Sequence, residues 1–151
     1  MSRVLSLILL LIAASVMAAG QTVQGNAPKQ PVRIDSHVTS SPAFAELLLR
    51  RTELEAGLDS LLIDYTEDFP KVLESRQGLL YIERESLRLS RVKPADASKL
   101  TLALGKLIVR KIELELDLWN LLRTYKDEHP DVKRAKRKVE IFETAIKEIL
   151  G

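Results

Sequence analysis

The sequence predicts an all-α fold: two tandem antiparallel helical hairpins, four long heptad-patterned helices packed as one bundle. Three observations carry this. One pattern occurs twice, sixty positions apart, as ELEAGLDSLLIDYTEDFPKV from Glu53 to Val72 and ELELDLWNLLRTYKDEHPDV from Glu113 to Val132. A repeat of that length marks one supersecondary unit used twice. Leucine-rich seams with alternating spacings of three and four run through both copies, the pattern of helices that pack along their length. Prolines stand at positions 42, 70 and 130, each where a helix can begin without needing the missing N–H.

The first segment, residues 1–20, reads as a signal peptide. Arg3 precedes an apolar run from Val4 to Val16, and Ala18, Ala19 and Gly20 are small enough for a signal peptidase,. The run is shorter than the roughly 20 residues of a spanning helix, which favours cleavage over a retained anchor. Residues 21–40, rich in Gln, Thr, Asn, Pro and Ser, read as a flexible linker,. His37 lies in it without partners and is expected to be solvated. The helical domain is residues 41–151, with repeats over 41–90 and 97–150.

Helix 1 starts with Ser41 as N-cap and Pro42 at its first position, and stops near Tyr65 to Asp68,. Its seam runs through Phe44, Leu47, Arg51, Leu54, Leu58, Leu61 and Tyr65. Helix 2 runs from Pro70 to about Leu89, with Val72, Leu79, Ile82 and Leu89 in the seam and Ser75 and Ser86 weakening it. Pro94 breaks the chain. Helix 3 is expected from about Ala97 to Tyr125, with a seam of Leu100, Leu104, Leu107, Lys111, Leu114, Leu118, Leu121 and Tyr125. Helix 4 starts at Pro130, and Val132, Ala135, Val139, Phe142, Ile146 and Ile149 form its stripe. Short connections favour adjacent antiparallel neighbours.

Composition narrows the function. The apolar fraction is 46% and the charged fraction 29%, a foldable mixture and not a disordered one,. A formal charge of only +2 gives no reason to expect nucleic acid as a partner,. With no cysteine, disulfides, thiolate metal sites, lipidation at cysteine and cysteine nucleophiles are excluded,.

The turn motif comprises Tyr65, Pro70 and Val72 in the first copy and Tyr125, His129, Pro130 and Val132 in the second. Tyr ends a leucine-rich helix with an amphipathic ring. The acidic pairs Glu67-Asp68 and Asp127-Glu128 precede the positive end of the next helix,. Proline then presets the first turn, and Val begins the return stripe. The stretch LLRTYKDEHPDVKRAKRKVE, Leu121 to Glu140, resembles the helix-turn in the periplasmic coiled-coil arm of bacterial polysaccharide chain-length determinant and exopolysaccharide-export proteins. The first copy matches more loosely, with Phe69 in place of His129. The family's two membrane spans and its cytoplasmic kinase domain have no counterpart in these residues. The resemblance implies an envelope location, a helical coiled-coil turn and a connection with polysaccharide export.

Four features are candidate sites. His129 with Asp127, Glu128 and Asp131 reads as a capping and turn group, because all four sit in one turn and no distant histidine or cysteine completes a zinc set,. Lys133, Arg134, Lys136, Arg137 and Lys138 form either an anion patch for acidic polysaccharide or lipid headgroups, or a solvated face paired with Glu113, Glu115, Asp117, Glu140 or Glu143,. Leu102, Val109, Ile112, Leu116 and Trp119 form a second apolar face on helix 3. It is either covered by hairpin 1, with Leu49, Ala56 and Ile63 of helix 1 packed against it, or a surface for a protein partner or self-association. Arg51 and Lys111, at matching seam positions, are expected to mark register while their side chains reach out to water,.

No Gly-rich phosphate loop, nucleophile elbow or pair of carboxylates with evident burial stands out in the chain,. The expectation is therefore an exported, non-enzymatic interaction or scaffold protein of the cell envelope, without cofactor or metal, connected with polysaccharide export. The alternative is a periplasmic chaperone-like or ligand-binding bundle using the apolar face of helix 3.

Overall fold

The computed structural model describes residues 34–151; the expected leader and the linker up to residue 33 lie outside the described residues. Among the described residues the chain is all helical, without strands. It runs α1 (Ser36–Thr39), α2 (Pro42–Asp64), α3 (Pro70–Leu89), a 3-10 segment (Pro94–Lys99), α4 (Leu102–Leu122) and α5 (Pro130–Leu150). The four long helices expected from the sequence are α2 to α5. No helix among them is long and apolar enough to cross a membrane.

Three boundaries differ from expectation, the simplest being that helix 3 ends at Leu122 and not at Tyr125. The end of the expected linker is part of the folded unit: α1 buries Val38 completely, Ile34 packs on the core, and His37 Nε2 lies 2.9 Å from the Val92 carbonyl. The short Val38 and Ile34 side chains supplied too little periodicity to announce this. Helix 3 does not start at Ala97. Residues 94–99 form the 3-10 segment, Leu100 leaves helical geometry (ψ 53°), and Thr101 caps α4 by accepting the Leu104 N–H at 3.2 Å,. At the start of α2, Ser41 accepts the Phe44 N–H at 3.2 Å as expected, and its own hydroxyl donates to the Val38 carbonyl at 2.7 Å.

α2 packs on α3, α4 packs on α5, and α4 also lies against both α2 and α3. α4 is therefore the element that the other long helices share, and it is apolar on more than one side for that reason. Its Leu104, Ile108 and Ile112 are fully buried, in one core with Leu47, Ile82, Leu89 and Ile146. Burying each such side chain stabilises by about 1.5–3 kcal/mol. α2 and α4 touch where they begin. The Ala43 N–H donates to the Leu100 carbonyl at 3.2 Å, and a Cβ on Gly105 would stand 2.9 Å from the Ala43 Cα. Glycine at 105 is what permits that approach.

α2 does not meet α4 through the stripe expected from the sequence. Leu49 and Ile63 are 57% and 82% exposed, and Ala56 is exposed as well. Ala43, Leu47 and Leu54 face the core instead. The start of α2 is held by Gly105, so the helix turns its Ala43 edge inward and leaves the other stripe in water.

Candidate functional site

The two turns are built alike down to individual hydrogen bonds. Tyr65 and Tyr125 donate their N–H to Leu61 and Leu121 at 2.9 and 2.8 Å; Phe69 and His129 donate to Thr66 and Lys126, both at 3.0 Å. The Tyr65 ring stacks on Phe69 with centroids 4.0 Å apart, and Tyr125 stacks on His129 at 4.1 Å. The aromatic partner at the position before proline is thus part of the turn, and histidine serves there as a flat ring. His129 Nδ1 also accepts the Asp131 N–H at 3.2 Å. Pro70 and Pro130 open α3 and α5, and Val72 and Val132 are fully buried behind them. Glu67 pairs with Arg76, and Asp127 with Lys136 at 2.8 Å, so one acid of each pair ties the turn to the next helix. Among the described residues no group of three or more His, Cys, Asp or Glu is placed to hold a metal ion.

The basic run on α5 is partly paired. Arg134 binds Asp131, Lys136 binds Asp127 and Arg137 binds Glu140 at 3.1 Å; Lys133 and Lys138 make no ion pair among the described residues. Of the partners expected on α4 and α5, only Glu140 is used. Glu113 pairs with Arg110, Glu115 with Arg84, and Glu143 with Lys111 and Arg88. Exposed pairs of this kind hold side chains in place but contribute only ~0–1 kcal/mol each.

The second apolar face of α4 is divided. Ile112 and Leu116 are in the core, and Leu116 lies over Gly78 of α3. Val109 and Trp119 are half-buried, and Leu102 is exposed. The Arg123 guanidinium lies 4.9 Å from the centre of the Trp119 ring. The five residues therefore do not form one open surface. Large apolar side chains are exposed instead where α2 and α4 end, at Leu62, Ile63, Tyr65, Leu122 and Tyr125.

The group that sequence reasoning missed is ionic. Lys111 does not reach out to water. It is 3% exposed, and its ammonium donates to Glu85 at 2.6 Å and to Glu143 at 2.8 Å. Glu85, 2% exposed, also accepts from Arg84 at 2.9 Å, while one of its oxygens is buried without a hydrogen bond and has only Arg88 at 3.7 Å. Lys111 differs from Arg51 because α4 lies between α3 and α5, whereas Arg51 on α2 stays exposed and pairs with Glu55 at 2.7 Å. Two shifts follow from the cluster. Burial alone would raise the Glu143 carboxyl, but hydrogen bonds and charge from Lys111 and then Arg88 outweigh it and hold it below its ordinary value,. Burial alone would lower Arg84, but Glu115 and Glu85 outweigh it and hold it above. A groove of about 580 Å³ opens beside these charges, with Arg91, Leu87 and Val139 on its walls. The sequence signal for this group was a glutamate between Ile82 and Leu89 in the stripe of α3, opposite in sign to the lysine in the stripe of α4.

No family model matches the chain, and neither a curated protein nor a solved structure does.

Proposed function

We propose that this chain is an exported, non-enzymatic interaction or scaffold protein of the bacterial cell envelope, built as two tandem antiparallel hairpins and serving polysaccharide export. The pairing of α2 with α3 and of α4 with α5 supports the hairpin arrangement. The leader-like residues 1–20 support export, and the likeness of Leu121 to Glu140 to the chain-length determinant turn supports the polysaccharide connection. The observation that carries the interaction role is the apolar surface at the ends of α2 and α4, where Ile63 is 82% exposed beside the duplicated turn. Exposed apolar side chains beside each copy of a repeated turn suit contact with another protein. Lys133 and Lys138, without carboxylate partners among the described residues, offer charge to an acidic polysaccharide or lipid headgroup.

The test is deletion of the gene in its host, followed by measurement of envelope polysaccharide and recovery of envelope complexes with the tagged protein. Altered polysaccharide length or amount, restored by the intact gene but not by an Ile63→Glu copy, is the expected result. Unchanged polysaccharide together with no co-purifying envelope complex would remove the proposal. The rival, a chaperone-like or ligand-binding bundle using the apolar face of α4, loses ground because Ile112 and Leu116 of that face lie in the core.

A further inference from the structure

α4 fills a groove between α2 and α3. On the α2 and α3 side, Ile82 is in the core that α4 shares, Leu54 and Tyr81 pack against that core, and Arg50 and Gly78 meet α4 directly. Leu116 closes over Gly78, whose Cβ position lies 3.3 Å from the Leu116 Cδ1, and Arg50 reaches Glu113 at 4.0 Å. Sixty positions further on stand Arg110, Leu114, Lys138, Ile141 and Phe142. These five line a groove of about 290 Å³ between α4 and α5, and among the described residues no element fills it; Ile141 is 53% exposed. The face that α4 buries carries Ile108, Ile112 and Leu116. Its counterparts on α2 are Leu48, Thr52 and Ala56, all exposed, with Leu49 beside them. Among the described residues there are thus one filled groove, one open groove at the equivalent place, and one uncovered helix face equivalent to the face that fills the first.

We propose that the chain self-associates head to tail, the Leu48–Leu49 face of α2 in one copy docking in the α4–α5 groove around Ile141 of the next. The inference rests on the scaffold reading and names its partner: a second copy of this chain. Size and charge both fit. Inside one copy, glycine at 78 makes room for Leu116; between copies, Lys138 at the equivalent place faces the small Ala56. The internal pair of Arg50 with Glu113 becomes Arg110 of one copy with Glu53 of the next, both about half exposed. Lys138, without an ion pair of its own among the described residues, adds a second cation to the groove wall, facing the Glu53 and Glu55 edge of α2. Such an interface is heterologous. It leaves one groove and one α2 face free at the ends, so association proceeds past the dimer unless a ring closes.

The test is sedimentation velocity on the full chain, from low to high micromolar concentration. Leu49→Glu spoils the docking face and Ile141→Glu the groove; both positions are exposed, so the fold should persist, as thermal melts will check. Should either variant melt early, Leu49→Ser or Ile141→Ser replaces it. The wild type is expected to grow beyond dimers with concentration, and each variant alone to associate about tenfold more weakly or worse, because a charge is placed in an apolar contact. An equal mixture of the two variants keeps one good face and one good groove, and should form one-to-one dimers and nothing larger. A monomeric wild type, association indifferent to both changes, or a mixture that fails to pair would overturn the proposal. A monomeric wild type that still captures an envelope complex overturns this inference alone; self-association with unchanged polysaccharide and no such complex overturns the scaffold reading alone.

Discussion

Replacing Lys111 by methionine tests whether the buried ionic group is a structural unit. The change removes the ammonium that bonds Glu85 at 2.6 Å and Glu143 at 2.8 Å. Glu143 is partly exposed and keeps Arg88 at 3.1 Å, so it loses little. Glu85 cannot reach water. Removing one partner of a buried pair destabilises by about 3–5 kcal/mol, because the other charge stays buried. Arg84 still bonds Glu85 at 2.9 Å, which places the expected cost at the lower end, about 3 kcal/mol,. At about 4 °C or more per kcal/mol for a domain near this size, the melting temperature should fall by about 12 °C. Glu85→Met leaves Lys111 with Glu143 alone and should cost about 2 kcal/mol. The double variant replaces both charges by apolar chains of similar length. Arg84 keeps Glu115 and Arg88 keeps Glu143, so the loss should be about 1 kcal/mol or less. The assay is urea unfolding followed by circular dichroism on all four proteins. A double variant as unstable as the two single costs added together would refute the reasoning, since it would mean the charges act independently.

Four further outcomes are expected. Among the glycines, Gly105→Ala should destabilise by about 1–3 kcal/mol, because its Cβ would stand 2.9 Å from the Ala43 backbone and cannot be relieved by a side-chain movement,. Gly57→Ala, whose Cβ meets nothing within 4 Å in the middle of α2, should stabilise by about 0.5–1 kcal/mol; thermal melts giving both the same sign would contradict the packing of α2 on α4,. Glu143 is held below its ordinary 4.5, so the unfolded chain binds its proton first; the stability it contributes is present above about that pH and is lost as pH falls through the lower folded value,. Glu143→Gln should therefore flatten the wild-type decline in melting temperature below pH 4.5, and an unchanged acid limb would speak against the Lys111 and Arg88 contacts. Trp119, half-buried beside Arg123, should be quenched by acrylamide, and a signal that resists quenching would place it in the interior.

The helices were legible because their signals are local. Proline at 70 and 130 and the Ser41 cap set the starts of α3, α5 and α2 within a residue, whereas α4, with no proline at its head, starts at Leu102 and not at the expected Ala97. The stacked turns were half legible: the repeat of Tyr and Pro stood in the sequence, but the shared aromatic role of Phe69 and His129 did not, since the two are unlike in every respect except a flat ring. What a one-dimensional pattern could not supply was which side of each helix meets which neighbour. The heptad placed Arg51 and Lys111 at one register position, and the fold separates them because Lys111 is enclosed by Glu85 of α3 and Glu143 of α5, whereas Arg51 stays exposed beside Glu55.

That separation also explains the divergence of the two copies. Once the second copy packs its first helix into the groove of the first copy, the equivalent positions stop being equivalent. Ile108, Ile112 and Leu116 enter a core, while Leu48, Thr52 and Ala56 stay in water. Thr52 is polar where Ile112 is apolar, as suits a position in water. Leu48, Leu49 and Ile141 are exposed too, yet large and apolar. Side chains of this size kept in water at equivalent ends of a repeat are accounted for if a further repeat from another copy covers them, and the paired Leu49→Glu and Ile141→Glu variants decide whether it does.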